Sequence, residues 1–569
     1  MDRRKVLLWV LAGLALAVHV QSLGAPFMLD DYAQAAMTEG RFGPVRSPLD
    51  LYDYIDDANR ASLFDSGAIP FWTQPNLVVR FLRPLASALR WLDHRGFGRH
   101  PFWHHAHSLL WWALAVVAVH ALLRRCFRAR PALLGTLAFA MAPSHVMPLV
   151  WLANREVLVS TALGTWGLLA YVKWREGRRA NHALAALGLF AVAALAGEYT
   201  ICFAGYVAAF EMVQRRESLW RRASGLAVFA LPAAAYVAAH VALGYDAHGS
   251  GFYRNPLHDL GAYAQGAARR LAILLGAAWM GTDDTWAASK WYALVLLGVG
   301  TVAVLSLPLV RVIRGLEEDE RRRATWMLVG SVLALAPVLS VEASNRLLDV
   351  TMVGVSACVG LVIDRAWFPL APEPRRGAAE LTGLVALYLA FAHFVRGPVD
   401  TLTGTRVFMT GAELVAKHLH WVPEHIAHDK KTVFVLRADT GDVLLWGPFI
   451  LGDAAPDHWR VMSAGAGREL LLRTGPRTLD LVASDRPLFH VGPDDLFRNV
   501  DQLRVGDTVT VPGMTATVVQ LDDNQMPRRL RFELDADVDD PGYAWITEGE
   551  DGFREDKPPP IGYGSPVLP

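Results

Sequence analysis

Cysteine and charge are both scarce in this chain. Only 3 of its 569 residues are cysteines, and all three lie in or beside apolar segments, so the sequence predicts no disulfide framework. Charged residues make up 19% of the chain and hydrophobic residues 53%, whereas about a quarter of a typical soluble protein is charged. This balance excludes a disordered chain, a collagen-like repeat and a coiled coil, and it favours a membrane protein.

The sequence also lacks a net charge, because 55 Lys and Arg residues balance 55 Asp and Glu residues. The balance hides two unequal parts. Residues 400–569 hold 17 basic and 27 acidic side chains, a charge of −10, which leaves +10 on the residues before them. Opposite charges in two parts of one chain indicate two different environments. No basic patch is large enough to indicate nucleic acid, so we expect no nucleic-acid partner.

Long apolar runs are abundant. A helix needs about 20 mostly apolar residues to cross the hydrocarbon core of a membrane. Eleven segments meet this need, with ends defined to within a few residues: 5–24, 102–123, 131–147, 151–172, 181–197, 199–214, 223–243, 291–312, 324–341, 347–364 and 378–396. The apolar segment 268–281 is too short to span, and we predict an interfacial or re-entrant helix there.

Basic clusters predict the orientation of these helices, since Lys and Arg concentrate in short cytoplasmic loops. Six clusters fall on one side if all eleven segments span the membrane: 3–5, 124–130, 173–179, 215–222, 311–323 and 375–376. The sequence therefore predicts an inner (plasma) membrane protein with a cytoplasmic N-terminus. A long first outer loop at 25–101 and the whole C-terminal part are expected on the periplasmic or extracellular side.

Beyond residue 397 the pattern changes to short alternating runs broken by Gly, Asp and Pro, which is typical of β-strands. The clearest runs are 432–436, 470–472, 508–511 and 529–534. We predict an α-helical polytopic membrane protein with about eleven transmembrane helices in residues 1–397. A β-rich extracytoplasmic domain is expected in 398–550, followed by a Pro/Gly-rich, extended or unstructured tail in 551–569.

Polar residues suited to chemistry cluster on the predicted outer side. Ionisable residues at membrane depth are costly and usually face a protein interior or a water-filled cavity. A ring of such residues at one leaflet boundary predicts a cavity open to the outer face. The candidate site residues are Asp30, Asp31, Arg83, His105, His145, Arg155, Glu156, Glu198, Asn345 and Arg346.

These residue types fit sugar transfer from a lipid-linked donor. An arginine can donate two hydrogen bonds at once to a phosphate, and a positioned carboxylate can take the proton of an acceptor hydroxyl. A lipid phosphate is already a good leaving group, so one base suffices, in contrast to the carboxylate pair of most glycoside hydrolases. The predicted reaction is inverting transfer from a membrane-bound polyprenyl-phosphate sugar to a protein, glycan or lipid acceptor.

Several short motifs follow one another in a characteristic order over roughly residues 5–365. They are Asp30-Asp31, Arg83-Pro84-Leu85, Pro101 to His105, His145 with Trp151 and Arg155, Gly197-Glu198, and Glu342 to Leu348. In this order they resemble the polytopic glycosyltransferases of the GT-C superfamily, most closely the protein O-mannosyltransferase relatives that carry tetratricopeptide repeats. The resemblance implies Asp30 or Asp31 as catalytic base, Arg346 as the leading ligand of the donor phosphate, and no required divalent cation. The chain departs from the family at Met147 and Gly197, where the family has Glu and Lys, and it lacks the repeats.

Other interpretations stay open at this stage. Asp30-Asp31 can cap a helix, and Glu342 and Arg346 have the spacing of an ordinary ion pair. His104 and His107 share a helical face but have no evident fourth ligand. We therefore predict no cofactor, although carboxylates beside a phosphate can share a divalent cation.

Two further functions compete with sugar transfer. A transporter or flippase would need polar residues through the whole membrane thickness and pseudo-symmetric halves. A non-catalytic membrane anchor for an outer binding domain would need neither a base nor a donor site, and the departures at Met147 and Gly197 keep this interpretation open.

Overall fold

The computed structural model describes residues 13–43, 45–213, 217–256, 259–281, 287–368, 376–427, 429–438, 441–465, 467–489, 496–498, 503–549 and 551–567. Helices dominate this part of the chain up to His425, and β-strands dominate the rest. The helices in chain order are α1 (Gly13–Gly24), α2 (Asp30–Thr38), α3 (Arg60–Ser66), α4 (Pro84–Phe97), α5 (Pro101–Cys126), α6 (Ala129–Ala140), α7 (Val146–Val150), α8 (Glu156–Gly177), α9 (Ala180–Ala194), α10 (Phe203–Val213), α11 (Leu219–Ala242), α12 (Leu260–Met280), α13 (Ala287–Arg314), α14 (Glu318–Leu333), α15 (Asp349–Trp367), α16 (Arg376–Phe391), α17 (Gly397–His425), α18 (Gly441–Leu444) and α19 (Gly447–Leu451).

The eleven apolar segments are each helical over at least part of their length within the described residues. Six helices are long and apolar enough to cross a membrane, and the bent pair α6 with 143–150 would make a seventh. These helices make the chain an integral membrane protein, while the total of eleven spans and their orientation stay predictions. The six helices are Pro101–Cys126, Leu219–Ala242, Trp291–Arg314, Glu318–Ser340, Asp349–Trp367 and Ala379–His425.

Small residues allow the helices of this bundle to approach closely. A Cβ added at Gly360 of α15 would lie 2.4 Å from the carbonyl oxygen of Pro131 at the start of α6, and one at Gly135 would lie 2.8 Å from the carbonyl oxygen of Ser356. Such contacts are typical of membrane helices, in which dispersion contacts between closely packed backbones drive association. The result is a bundle core in which α15 is buried along most of its length.

Two helices extend further than the sequence predicted. The short helix expected at 268–281 is the C-terminal two-thirds of α12, because residues 260–267 include no proline to stop it. The last predicted span, 378–396, continues through a π turn at Ala392–Arg396 into α17. Pro398 lies in the first turn of α17, where proline is tolerated. The domain boundary expected at residue 397 therefore falls inside a continuous helix that ends at His425.

Two sheets form the C-terminal domain and confirm the β-rich pattern. One is antiparallel with strand order β13-β6-β7-β10-β9-β8, and the other has the order β12-β11-β4-β5 with β4 parallel to both of its neighbours. The strands are β4 (Thr432–Val435), β5 (His458–Val461), β6 (Glu469–Arg473), β7 (Thr478–Ala483), β8 (Thr508–Val511), β9 (Met514–Leu521), β10 (Pro527–Leu534), β11 (Tyr543–Gly549), β12 (Gly552–Glu555) and β13 (Gly564–Val567).

The tail expected to be extended or unstructured is part of both sheets. Strand β12 pairs with β11, and β13 pairs with β6. Phe553 and Val567 are both buried, so burial of these two apolar side chains holds the tail in place although the residues between them are rich in Pro and Gly.

The first outer loop is folded and shares a hydrophobic core with the C-terminal domain. Its strands β1 (Asp53–Ile55) and β2 (Val78–Arg80) form an antiparallel sheet with β3 (Asp246–His248), which follows α11. Trp72 of the loop stacks on Phe489 of the domain with ring centroids 4.1 Å apart. The candidate residues of the first loop thus lie under the C-terminal domain.

Candidate functional site

Arg83 is held between two carboxylates at the outer end of the bundle. It directly precedes α4, and its Nε donates to Oε2 of Glu198 at 3.0 Å while Nη2 donates to Oε1 of the same residue. Its Nη1 donates to Oε1 of Glu156 at 3.0 Å. The planar guanidinium is therefore occupied on both edges, so Arg83 joins α8 and the turn after α9 and leaves little of its fork for a phosphate.

Gly197 makes room for this arrangement. Its φ of +152° is a conformation that side chains rarely adopt, and an added Cβ would lie 3.3 Å from Cγ and 3.4 Å from Nε of Arg83. Gly197 is therefore part of how this chain brings Arg83 to Glu198.

Asp31 is fully buried and engaged with backbone. Its carboxylate accepts hydrogen bonds from the amides of Met28 (3.2 Å), Leu152 (3.4 Å) and Ala153 (2.7 Å), and Arg90 Nη2 lies 3.7 Å away. Burial raises the pKa of Asp31, and Arg90 and the three amides oppose that shift. Asp31 thus ties the first loop to the start of α8, and its geometry favours a structural role.

Arg155 and His105 make buried contacts around the first turns of α5. Arg155 donates to Asp93, to Ser108 Oγ at 2.7 Å and to the carbonyl of His104 at 2.6 Å. His105 Nδ1 lies 2.8 Å from the carbonyl oxygen of Leu149. Arg155 therefore has an acidic partner that the sequence did not reveal, and neither side chain is directed to a common ligand with Arg83.

His145 lies in a separate pair. Its Nδ1 is 3.1 Å from the Asp349 carboxylate and its Nε2 is 2.7 Å from the carbonyl oxygen of Phe139, and both His145 and Asp349 are buried. The pair joins the turn after α6 to the start of α15. The structure does not bring His145 into contact with the other candidate residues.

Arg346 differs from the other two arginines because no carboxylate in the described ranges forms an ion pair with it. Its guanidinium lies over the ring of Trp151, with Cζ 5.4 Å from the ring centroid. The ion pair with Glu342 that the spacing left open does not form, since Glu342 accepts from Arg269 at 2.8 Å and from Arg270 at 3.0 Å. Arg346 is also partly exposed. A guanidinium in this state can accept an anionic ligand.

Asp30 and Arg346 act on the same side chain, Tyr253. Burial raises the pKa of the Tyr253 hydroxyl to about 12, and of the charged neighbours Arg346 lowers it while Asp30 raises it. Arg83 and Glu198 act on the same hydroxyl more weakly. Tyr253 is therefore within electrostatic range of residues from the first loop, from the turn after α9 and from the turn before α15.

We call this group the outer cluster and define it as Asp30, Arg83, Glu156, Glu198, Tyr199, Tyr253 and Arg346. Tyr199 is included because it is within electrostatic range of Arg346, Glu156, Arg83 and Glu198. The four charged residues other than Asp30 sum to zero, so Asp30 gives the cluster a net negative charge when ionised.

Unsatisfied polar atoms surround the outer cluster. In the ranges that the structure describes, Glu156 Oε2, Asn154 Oδ1, Thr200 Oγ1 and Trp151 Nε1 are buried and have no hydrogen-bond partner. Buried polar atoms in native proteins are nearly always paired, so a group of them next to a candidate site is typical of a place that receives a ligand or water.

Asn345 lines a small cavity next to Arg346. The cavity is bounded mainly by apolar residues of α12, α15 and the turn after α6. His393 also lines it. Within the described part of the chain, no group of three or more His, Cys, Asp or Glu side chains could hold a metal ion.

Sequence reasoning missed four residues of this region: Asp93, Arg90, Tyr253 and Trp446. Asp93 follows Arg90 by three positions on α4, so both fall on one helical face, a spacing that could have indicated a buried polar network. Tyr253 and Trp446 carry no local signal, because only the tertiary fold brings them to the first loop.

No family model matches the chain, and no curated protein matches it. Solved structures with a similar course of the chain include ArnT from Cupriavidus metallidurans bound to undecaprenyl phosphate, at 14% identity and a TM-score of 0.42, with 79% of this chain and 85% of that chain covered. The oligosaccharyltransferase AglB from Archaeoglobus fulgidus, in complex with an inhibitory peptide and a dolichol-phosphate, is 14% identical with a TM-score of 0.46. That match covers 81% of this chain and 65% of the archaeal chain, just under two thirds of its length.

Proposed function

We propose that this protein is an inverting glycosyltransferase of the GT-C type. It transfers a sugar from a polyprenyl-phosphate donor to an acceptor hydroxyl at the outer face of the inner (plasma) membrane, with the N-terminus in the cytoplasm. The observation that carries the proposal is that Arg346 lies over Trp151, while the next two residues, Leu152 and Ala153, donate their amides to Asp31, the neighbour of Asp30. A candidate phosphate ligand and a candidate base are linked through this one turn.

In this proposal Asp30 is the catalytic base and Arg346 holds the donor phosphate. The acceptor oxygen attacks the anomeric carbon of the sugar as its proton passes to Asp30. The bond between that carbon and the phosphate oxygen breaks, and the electron pair leaves with the polyprenyl phosphate. Arg346 stabilises the added negative charge on the leaving phosphate.

The other charged residues of the outer cluster frame the site. Arg83 is offset by Glu156 and Glu198, so it fixes the shape of the site and supplies no free positive charge. Asn345, beside Arg346, is proposed to contact the donor headgroup from the cavity side. We assign Asp31, Arg155, His105 and His145 to the support of these residues and not to contact with the donor. The acceptor is a protein, glycan or lipid hydroxyl.

A transfer assay with the purified full chain in lipid nanodiscs tests the base. Undecaprenyl phosphate that carries a radiolabelled sugar is incubated with the wild type and with candidate protein, glycan and lipid acceptors, and transfer of the label from the lipid to an acceptor is measured. We expect Asp30→Asn to lower the rate by at least about 100-fold, since general-base catalysis contributes about that factor or more. Full activity of Asp30→Asn would contradict the assignment. If the wild type transfers sugar from none of the donors, the non-catalytic anchor would be favoured.

A binding measurement tests the phosphate ligand separately. We expect undecaprenyl phosphate to bind the wild type and to bind Arg346→Ala at least about tenfold more weakly, through loss of a charge-assisted hydrogen-bonded contact. Arg130→Ala is the matched control, because Arg130 also lies over an aromatic ring (Phe368, 4.1 Å) but at the opposite end of α6. Equal loss in both variants would point to nonspecific attraction and contradict the role of Arg346.

A further inference from the structure

The side chain of Trp446 connects the C-terminal domain to the outer cluster. Its indole Nε1 donates a hydrogen bond to Oδ1 of Asp30 at 2.8 Å across 416 positions of sequence. Trp446 lies between α18 and α19, whereas Asp30 is the first residue of α2 in the first outer loop.

The backbone of Trp446 adopts an unusual conformation that the surrounding structure maintains. Its φ is +69°, in the left-handed region that bulky residues rarely occupy. The residue is 1% exposed, and its amide donates to the carbonyl of Ala68 in the first loop at 3.0 Å. Strain of this kind persists where packing over-determines it, and it occurs more often at functional sites.

Aromatic rings on both sides fix the plane of the indole. Its ring centroid lies 5.6 Å from that of Phe42 and 6.0 Å from that of Tyr54, both in the first loop, and 5.8 Å from that of Phe449 in the domain. The indole therefore cannot rotate without moving rings from both parts of the protein, and its N–H stays directed at Asp30.

We propose that Trp446 is a positioning residue for Asp30: it orients the carboxylate and favours its ionised form. This inference rests on the proposed function for the role of Asp30. A donor directed at a carboxylate stabilises the charged form and so lowers its pKa. Asp30 then stays ionised, and so able to accept a proton, at a lower pH. Two parts of the chain that are far apart in sequence thus complete the proposed active site.

Two substitutions separate the hydrogen bond from the packing of the ring. Trp446→Phe removes the N–H but keeps an aromatic ring. Trp446→His loses the six-membered ring but keeps a ring N–H, because Nε2 of histidine occupies the position of Nε1 in the five-membered ring of tryptophan. Trp545→Phe is the matched control, since it removes an indole hydrogen bond of the same domain (to the Val538 carbonyl, 3.1 Å) that does not involve Asp30.

The first readout needs no sugar donor. Protonated carboxyls react with a water-soluble carbodiimide and glycine ethyl ester, and mass spectrometry of the full chain gives the pH midpoint of labelling at Asp30. We expect the midpoint to rise by about one pH unit in Trp446→Phe and to stay within a few tenths of a unit of the wild type in Trp545→Phe. In Trp446→His it should lie at or below the wild-type midpoint, because the imidazole is protonated in this pH range and adds a positive charge beside Asp30. An unchanged midpoint in Trp446→Phe would overturn the proposal.

The second readout is the pH profile of transfer. We expect the acidic limb of the profile to move up by about the same amount in Trp446→Phe, with a rate on the plateau about tenfold lower because the carboxylate is less well oriented. Trp446→His should recover most of the rate. The double variant that combines Asp30→Asn with Trp446→Phe should be no slower than Asp30→Asn alone. If Trp446→His is as slow as Trp446→Phe, ring packing and not the hydrogen bond matters, and the proposal fails. A labelling shift in a protein that transfers no sugar would support the contact and contradict the proposed function alone.

Discussion

Three arginines at the outer end of the bundle differ in their partners, and the partners determine whether each guanidinium remains able to bind an anionic ligand. Arg155 is buried and paired with Asp93, and Arg83 lies between Glu156 and Glu198. Arg346 is partly exposed over Trp151 and forms no ion pair with a carboxylate of the described ranges. The first two arginines stabilise the structure around the site, and the third remains able to bind an anion.

Removal of Arg83 should therefore act on stability first. Arg83→Ala leaves Glu156 buried without its counter-charge, and we expect the free energy of unfolding to fall by about 3 kcal/mol. Adding Glu156→Gln should restore part of this loss, because the buried uncompensated charge is then gone. Denaturation of the single and double variants in the same detergent measures both values. If the double variant is less stable than Arg83→Ala by the full cost of Glu156→Gln alone, the two residues are not coupled.

Asp93 gives a pH-dependent prediction. Burial raises its pKa, but the hydrogen bond from His107 and the charge of Arg155 together outweigh burial, and the pKa of Asp93 lies well below its ordinary value. His107 is the donor in that bond, since Trp111 donates to its other ring nitrogen. A depressed pKa stabilises the folded state above the unfolded pKa of about 3.9, and this contribution is lost as the pH falls below it.

We expect Asp93→Asn to be less stable than the wild type at pH 7, and the difference to shrink between about pH 5 and pH 3. Thermal unfolding at a series of pH values measures it. A difference that stays constant down to pH 3 would show that the Asp93 charge does not contribute.

The sequence indicated candidate residues but not their partners. The order of short motifs indicated Arg83, Glu198 and Arg346, of which Arg83 and Glu198 form an ion pair, and their role in a site stays a prediction. Which carboxylate neutralises which arginine depends on distances set by tertiary packing. For this reason the spacing of Glu342 and Arg346 suggested an ion pair, although Glu342 instead binds two arginines of α12.

Among the elements, short turns between helices position the site. The turns at Leu152–Asn154, Glu198–Cys202 and Asn345–Leu347 each carry or adjoin a residue of the outer cluster. Their amides and side chains are fixed because the helices on either side are packed in the bundle. The membrane helices thus act as a rigid support, and the turns present the chemistry.

Helices and strands were predictable to different degrees. Long apolar runs predicted the membrane helices, and alternating runs predicted β4, β6, β8 and β10. The sheet of β1, β2 and β3 has strands of only three residues, and Val78 pairs with His248 across 170 positions, so no local pattern reveals it. The tail strands escaped prediction because Pro and Gly dominate the turn between them.

Substitution of two glycines by alanine tests the contact between the first loop and the C-terminal domain. Gly67 and Gly40 both have left-handed backbones, with φ of +78° and +73°. A Cβ at Gly67 would lie 1.6 Å from the carbonyl oxygen of Trp459 in β5, whereas a Cβ at Gly40 would meet nothing within 4 Å.

We expect Gly40→Ala to cost about 1 kcal/mol of stability from its backbone conformation alone. Gly67→Ala should cost several times more, because the loop and β5 must separate. It should also speed proteolytic cleavage between α17 and β4. Thermal unfolding and limited proteolysis of both variants measure these effects. Equal behaviour of the two variants would contradict the contact between the loop and the domain.

At the scale of the whole molecule, the charge asymmetry of the sequence follows the architecture. The basic part contains the helices with their predicted cytoplasmic loops, and the acidic part contains the β-rich domain. The candidate site lies where the two meet, beneath a hydrophobic core that the first loop and the domain share. Composition predicted two environments, but no single-sequence signal predicted that the domain would supply a contact to Asp30.

The most direct test of the account is a cryo-EM structure of the full chain in nanodiscs with undecaprenyl phosphate bound. The account predicts that the phosphate lies within hydrogen-bond distance of the Arg346 guanidinium, on the side of the outer cluster that faces Asp30. A phosphate bound at the opposite end of the bundle, near the basic residues between α5 and α6, would contradict it.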